Sequence, residues 1–215
     1  MGLRSLADAF FSNEERASIE AAVRDAESRT IGEIAVMVVD ASDEYLHADT
    51  IGGVLFSGAL SFFGAVAFFQ SALVPYIVLT AVLFFPCRLF VRSFPVIKSE
   101  FISPRKKREA VRMRALRAFT EKGLYRTQAQ TGVLFFLSLM ERTVWVLADK
   151  GIYVKIRQEQ LDRFAATVSQ GVREGRASHT LCQAITEAGT LLAQYFPVTP
   201  GDKNELSDGI ITQKS

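Results

Sequence analysis

The chain predicts an α/β fold: helices packed on a small mixed β-sheet as an α/β/α sandwich, interrupted by a two-helix transmembrane hairpin. Three observations predict it. From Ile51 to Cys87 no residue is charged. Short Val/Ile-rich runs stand on both sides of that stretch, and each side also carries segments with helical periodicity. The short apolar run before the stretch has no strand partner on its own side, and a lone strand leaves its backbone unpaired. It is therefore expected to pair with strands that follow the apolar stretch. Two independent domains are excluded on size, because neither flank could build its own sheet and core.

The first helix is expected over 13–28. Ser12 and Glu15 have capping-box spacing, and Ile19, Val23 and Ala26 recur on one face. Thr30-Ile31-Gly32 breaks it, and EIAVMVVD at 33–40 reads as a strand buried on both faces. Two antiparallel spans are expected at 51–69 and 73–90, with the break at Gln70-Ser71, since one span needs about 20 apolar residues. The hairpin starts some fifty residues in, unlike a secretory leader. Arg88, Arg92, Lys98 and Arg105 to Arg108 follow it, whereas the turn has no Lys or Arg. The positive-inside rule then predicts an inner-membrane, multi-pass protein with both termini cytoplasmic. Gly53, Ser57, Ser61 and Ala65 form a small-residue stripe at four-residue spacing. Such a stripe packs either against the second span or against a partner membrane protein.

Beyond the hairpin, a basic helix is expected over 105–122, with Val111, Ala115 and Phe119 on one side. Its cations are either solvated or bind anionic membrane lipid. Strands at 132–139 and 143–148 are joined by a hairpin through Met140-Glu141-Arg142, whose tip is most simply solvated, though a tip is also a natural partner contact. Helices follow over 158–174 and 178–195, and Phe196-Pro197 ends the second. The domain organisation is thus 1–49, first half of the α/β domain; 50–91, hairpin; 92–199, second half; and 200–215, a tail.

Composition narrows the function. Lys and Arg number 25 against 23 Asp and Glu, a net charge of +2, which argues against nucleic acid as a partner. The mean hydropathy is +0.17. Cys87 and Cys182, the two cysteines, support no disulfide framework or zinc site and read as buried hydrophobes. His47 and His179 are the only histidines, too few for a His-rich metal site. No phosphate loop, dinucleotide fingerprint, Ser–His pair or Cys–Arg phosphatase spacing is present, so no catalytic residue is assigned and an enzyme is not the leading expectation.

Carboxylates are the better candidates. Asp40 and Asp149 each follow an apolar strand, and they would lie near each other if those strands ran parallel. Asp202 and Glu205 in the tail could supply further oxygens, and calcium suits so irregular a set. Equally, Asp40 and Asp149 read as turn residues or helix caps, and Lys150 could neutralise Asp149.

The TIGEIAV segment, the stretch RTQAQTGVLFFLSLMERTVWVLADKGI and the closing YFPVTPGDKNEL resemble the TPM domain family. That family takes its name from a thylakoid lumen protein, a photosystem II repair protein and a modulator of acetylcholine receptors. The resemblance rests on Gly32 and Glu33, on Thr127, Thr131 and Gly132, and on Glu141 and Arg142. Asp149 and Gly151, and then Phe196, Pro197, Asn204, Glu205 and Leu206, complete it. Met113 stands where split relatives often carry His, and Ser207 where Pro is usual. The resemblance implies helices around a small mixed sheet. It also implies either an assembly, stabilising or auxiliary role in a larger membrane complex or, as the alternative, a metal-dependent phosphatase-like hydrolase with bound calcium.

Overall fold

The structure is a computed structural model, and it describes residues 5–69, 73–127, 129–199, 206 and 208–213. The chain divides into two compact units, 1–43 with 108–215 and 44–107.

The first unit opens with α1 (Leu6–Phe10) and α2 (Asn13–Glu27). The expected capping box is made: Ser12 Oγ accepts from the Glu15 amide at 3.2 Å, and Glu15 Oε2 accepts from the Ser12 amide at 2.8 Å. Strand β1 (Glu33–Val39) follows and is buried throughout.

The second unit holds α3 (Leu46–Phe69), α4 (Leu73–Ser93) and the short α5 (Pro95–Glu100). Both α3 and α4 are long and apolar enough to cross a membrane. The unit is longer than the expected 50–91 because α3 begins five residues before the uncharged stretch, taking Asp49 with it, and because α5 and the start of α6 belong to the unit as well. Asp49 is fully buried, and its Oδ1 lies 2.9 Å from Lys98 Nζ. Lys98 Nζ also donates to the Glu44 carbonyl. This pair joins the start of α3 to α5 at the base of the hairpin.

The first unit resumes with most of α6 (Pro104–Glu121), a 3₁₀ turn at Leu124–Arg126, β2 (Gly132–Ser138) and β3 (Thr143–Ala148). Then come α7 (Lys150–Tyr153), α8 (Gln158–Arg173), α9 (Ala177–Tyr195) and β4 (Ile211–Gln213). Among the described residues the sheet order is β3-β2-β1-β4. β1 runs parallel to β2, with Val36 opposite Phe135, and parallel to β4, with Met37 opposite Ile211. β3 is antiparallel to β2. The strand before the hairpin thus pairs with strands after it. β4 corrects the expectation of a simple tail, since three of those residues form an edge strand.

Alternation along the strands builds a core on each face. Ile34, Val36, Val38, Phe135 and Val146 pack with Ile19 and Val23 of α2, Val168 of α8 and Ile185 of α9. On the other face Met37, Leu134 and Phe136 pack with Val111, Ala115 and Ala118 of α6. Phe136 is fully buried there, with Trp145 packed beside it. Cys87 and Cys182 are half-buried, less enclosed than expected; partial burial pushes the Cys182 thiol up.

Candidate functional site

Register decides which carboxylates meet. Val39 is opposite Ser138, which is opposite Thr143, whereas Ile34 is opposite Val133, which is opposite Ala148. Asp40 therefore leaves the sheet at one end and Asp149 at the other. The expected convergence of Asp40 and Asp149 does not occur, because β3 runs antiparallel to its neighbour. Asp40 is a capping residue: its Oδ1 accepts from Ser5 Oγ and from the Ala7 amide, each at 2.6 Å, at the start of α1. Asp202 and Glu205 lie outside the described residues.

At the Asp40 end, the carboxyl ends of parallel β1 and β2, the hairpin tip is only partly solvated: Arg142 is exposed as expected, but Glu141 enters a buried polar cluster. Glu141 is buried and accepts from the Ser42 amide at 3.0 Å and from Ser138 Oγ. Ser138 Oγ lies 2.7 Å from Ser42 Oγ. The carboxylate turns inward because the tight β2–β3 connection, with Arg142 at φ 49°, points it at two donors. A cleft of about 520 Å³ opens here, lined by Ser42 and Asp43 and by Met113, Arg114, Leu116 and Arg117 of α6.

At the opposite end the residues of the sequence resemblance knit the backbone together. Thr131 Oγ1 donates to the Ile31 carbonyl at 2.9 Å, and Thr127 Oγ1 accepts from the Thr131 amide at 3.1 Å. A Cβ on Gly132 would stand 2.6 Å from the Leu124 carbonyl oxygen, and one on Gly151 would stand 2.7 Å from that of Gln130. Only glycine fits either approach. Asp149 caps α7, its Oδ1 accepting from the Lys150 amide at 2.6 Å. Asp149 Oδ2 is buried and has no hydrogen-bond partner among the described residues.

Glu27 lies at this same end, within electrostatic range of Glu33 and of Asp208. Glu33 Oε2 accepts from the Leu206 amide at 3.2 Å, and Glu27 Oε1 accepts from the Ile34 amide at 2.8 Å. Asp208 lies 3.2 Å from Arg24. Burial pushes the Glu27 carboxyl up to about 8; the Ile34 amide opposes that rise, and the negative charges of Glu33 and Asp208 add to it. Glu27 did carry a sequence signal: it follows Ile19 and Val23 at four-residue spacing, on the apolar stripe of α2. Glu141 was singled out only by the resemblance, and its burial had no local signal, since a charged residue in a turn ordinarily faces water. Among the described residues no three His, Cys, Asp or Glu side chains stand together to hold an ion. The calcium set read from the sequence therefore does not assemble around Asp40 and Asp149.

In the hairpin unit, Gly53, Ser57, Ser61 and Ala65 are all buried, and a Cβ on Gly53 would stand 2.9 Å from Arg88 Cβ of α4. The stripe is taken up inside the hairpin, so it is not a free partner-binding surface.

No family model matches the chain, and no curated protein matches it. Among solved structures, the NMR structure of the BA42 protein from the psychrophilic bacterium Bizionia argentinensis is similar, with 22% identity and a TM-score of 0.60. The similarity covers 95% of this chain and 96% of that one. At that identity the two share a fold.

Proposed function

We propose that the chain is an integral membrane protein of the bacterial inner membrane. Its TPM-like α/β domain faces the cytoplasm and serves as an assembly, stabilising or auxiliary subunit of a larger membrane complex. The observation that carries this reading is the outer surface of the hairpin. Phe62, Phe63, Phe68, Leu73, Val74, Phe85 and Leu89 are exposed on α3 and α4, Phe68 by 82%. An apolar surface of this extent is stable in lipid or against another membrane protein, not in water. Reporters fused to both termini are expected to read cytoplasm and one inserted at Ser71 the opposite side. Termini on opposite sides would overturn the topology. Gentle detergent purification is expected to retain a stoichiometric membrane protein, and a chain that elutes alone under every mild condition would remove the auxiliary role.

A metal-dependent hydrolase is the second reading, and Asp149 Oδ2 is the observation that favours it. A buried carboxylate oxygen without a donor invites a proton or a cation. If calcium binds there, millimolar calcium raises the melting temperature of the wild type, and Asp149→Asn removes most of that rise. An unmoved melting curve leaves Asp149 as the cap of α7 and no more.

A further inference from the structure

We infer that the outward face of α6 is a docking surface for an anionic phospholipid leaflet, an inference that rests on the membrane reading above. Helix α6 is two-sided. Val111, Ala115 and Ala118 turn one side to the sheet. At 3.6 residues per turn, the opposite side carries Met113 and Leu116 near its centre. Arg105 and Arg112 lie along one flank, and Lys106 and Arg117 along the other. Met113 is 61% and Leu116 40% exposed, and the four cations are exposed as well. Glu109 is the acid set among them. None of the four has an ion-pair partner among the described residues, whereas Arg114, at the edge of the buried side, is held by Glu121 and Gln213.

Exposed apolar side chains bordered by long cationic ones suit a bilayer interface. The apolar groups enter the headgroup boundary, and the Arg and Lys stems reach out to phosphates. Chain geometry keeps the surface within reach, because α4 ends at Ser93 and α6 starts at Pro104. Six of the ten residues between them are helical in α5, so the connection spans roughly 30 Å at most. An anionic leaflet attracts such cations by about 1 kcal/mol each, or about fivefold in the docked-to-undocked ratio. A neutral leaflet does not.

The test uses the full chain in nanodiscs with bromine-labelled lipid, a short-range quencher of tryptophan. Met113→Trp reports α6, Phe63→Trp reports the hairpin, and the wild-type signal of Trp145 is subtracted. The expected result is quenching of the position-113 probe in phosphatidylglycerol-containing discs but not in phosphatidylcholine alone, with the position-63 probe quenched in both. Adding Arg112→Gln and Arg117→Gln should lower the docked ratio about 25-fold. High salt should weaken docking too, as the Debye length falls from about 8 Å at 0.15 M to about 3 Å at 1 M. Quenching at 63 but never at 113 overturns the docking while leaving the hairpin in the membrane. Equal quenching at 113 in both lipids overturns the charge recognition. A 113 probe shielded from aqueous quencher yet untouched by bromine means that protein covers the face, which also overturns it. No quenching at 63 removes the membrane reading and this inference together.

Discussion

Glu27 makes the folded chain sensitive to pH in a direction opposite to that of most carboxylates. Its carboxyl is raised from 4.5 to about 8 in the folded protein, chiefly by burial. In the unfolded chain it ionises near 4.5. Between those values the folded state holds a proton that the unfolded state has released, so stability must fall as pH rises. The contribution is complete below about pH 4.5 and is lost as pH rises through about 8. The full difference corresponds to roughly 5 kcal/mol at 1.36 kcal/mol per pH unit. Solvent reaches part of the side chain and screens the ionised form, which reduces the figure to about 2–3 kcal/mol.

Glu27→Gln isolates the effect. The amide oxygen can still accept from the Ile34 amide but has no charge to bury. Melting curves in detergent between pH 5.5 and pH 9 are expected to show the wild type losing about 5–10 °C relative to the variant. Every group other than residue 27 is the same in both proteins and cancels in that difference. Parallel curves for the two proteins would refute the reasoning and mean that Glu27 ionises freely against its neighbours.

Other perturbations probe the remaining packing. Gly189→Ala places a Cβ 2.5 Å from that of Ala26 between α9 and α2; chemical denaturation is expected to register a loss of about 1–3 kcal/mol. Lys98→Met leaves Asp49 buried without its cation and should cost about 3–5 kcal/mol, while adding Asp49→Leu should recover most of it. If the double variant is as unstable as the single one, the ion pair does not hold the base of the hairpin. Val36→Asp puts a charge between Phe135 and the α2–α9 layer and should cost several kcal/mol. Limited proteolysis should then cut within 108–199 as readily as within 5–43, and full protection of the later segment would separate the two flanks.

Much of the fold was legible because its signals are local. The Ser12–Glu15 cap, the β-branched run at 33–39 and the uncharged stretch each announce an element without help from distant residues. The elements that escaped notice lack such signals. β4 is three residues long and owes its strand geometry to the free edge of β1, while α1 is five residues long and depends on an oxygen from Asp40. The candidate site was less legible. Strand-end carboxylates are visible in sequence, but which end of the sheet each occupies depends on strand direction. The β2–β3 hairpin reverses that direction for Asp149. The small-residue stripe illustrates the same point, because its spacing specifies a close helix contact without saying whether α4 or another protein provides it.

The position of the hairpin in the chain has a physical logic. Parallel neighbours such as β1 and β2 need a crossover connection, usually a helix, and α6 is that helix. The chain leaves the α/β unit after Asp43, just beyond β1, and returns at Arg108, about one turn into α6. An insertion there breaks no ladder hydrogen bond. The same insertion between β2 and β3 would dismantle the turn that points Glu141 at Ser42 and Ser138. Entropy does not forbid the chosen place either, since each doubling of a loop adds only about 0.6 kcal/mol. The inserted segment also closes itself, through the packing of α3 on α4 and the Asp49–Lys98 pair, so its two ends need not be held together by the sheet. A loop that tolerates a self-closing insertion is a position where an apolar hairpin can be added without a new core being designed around it.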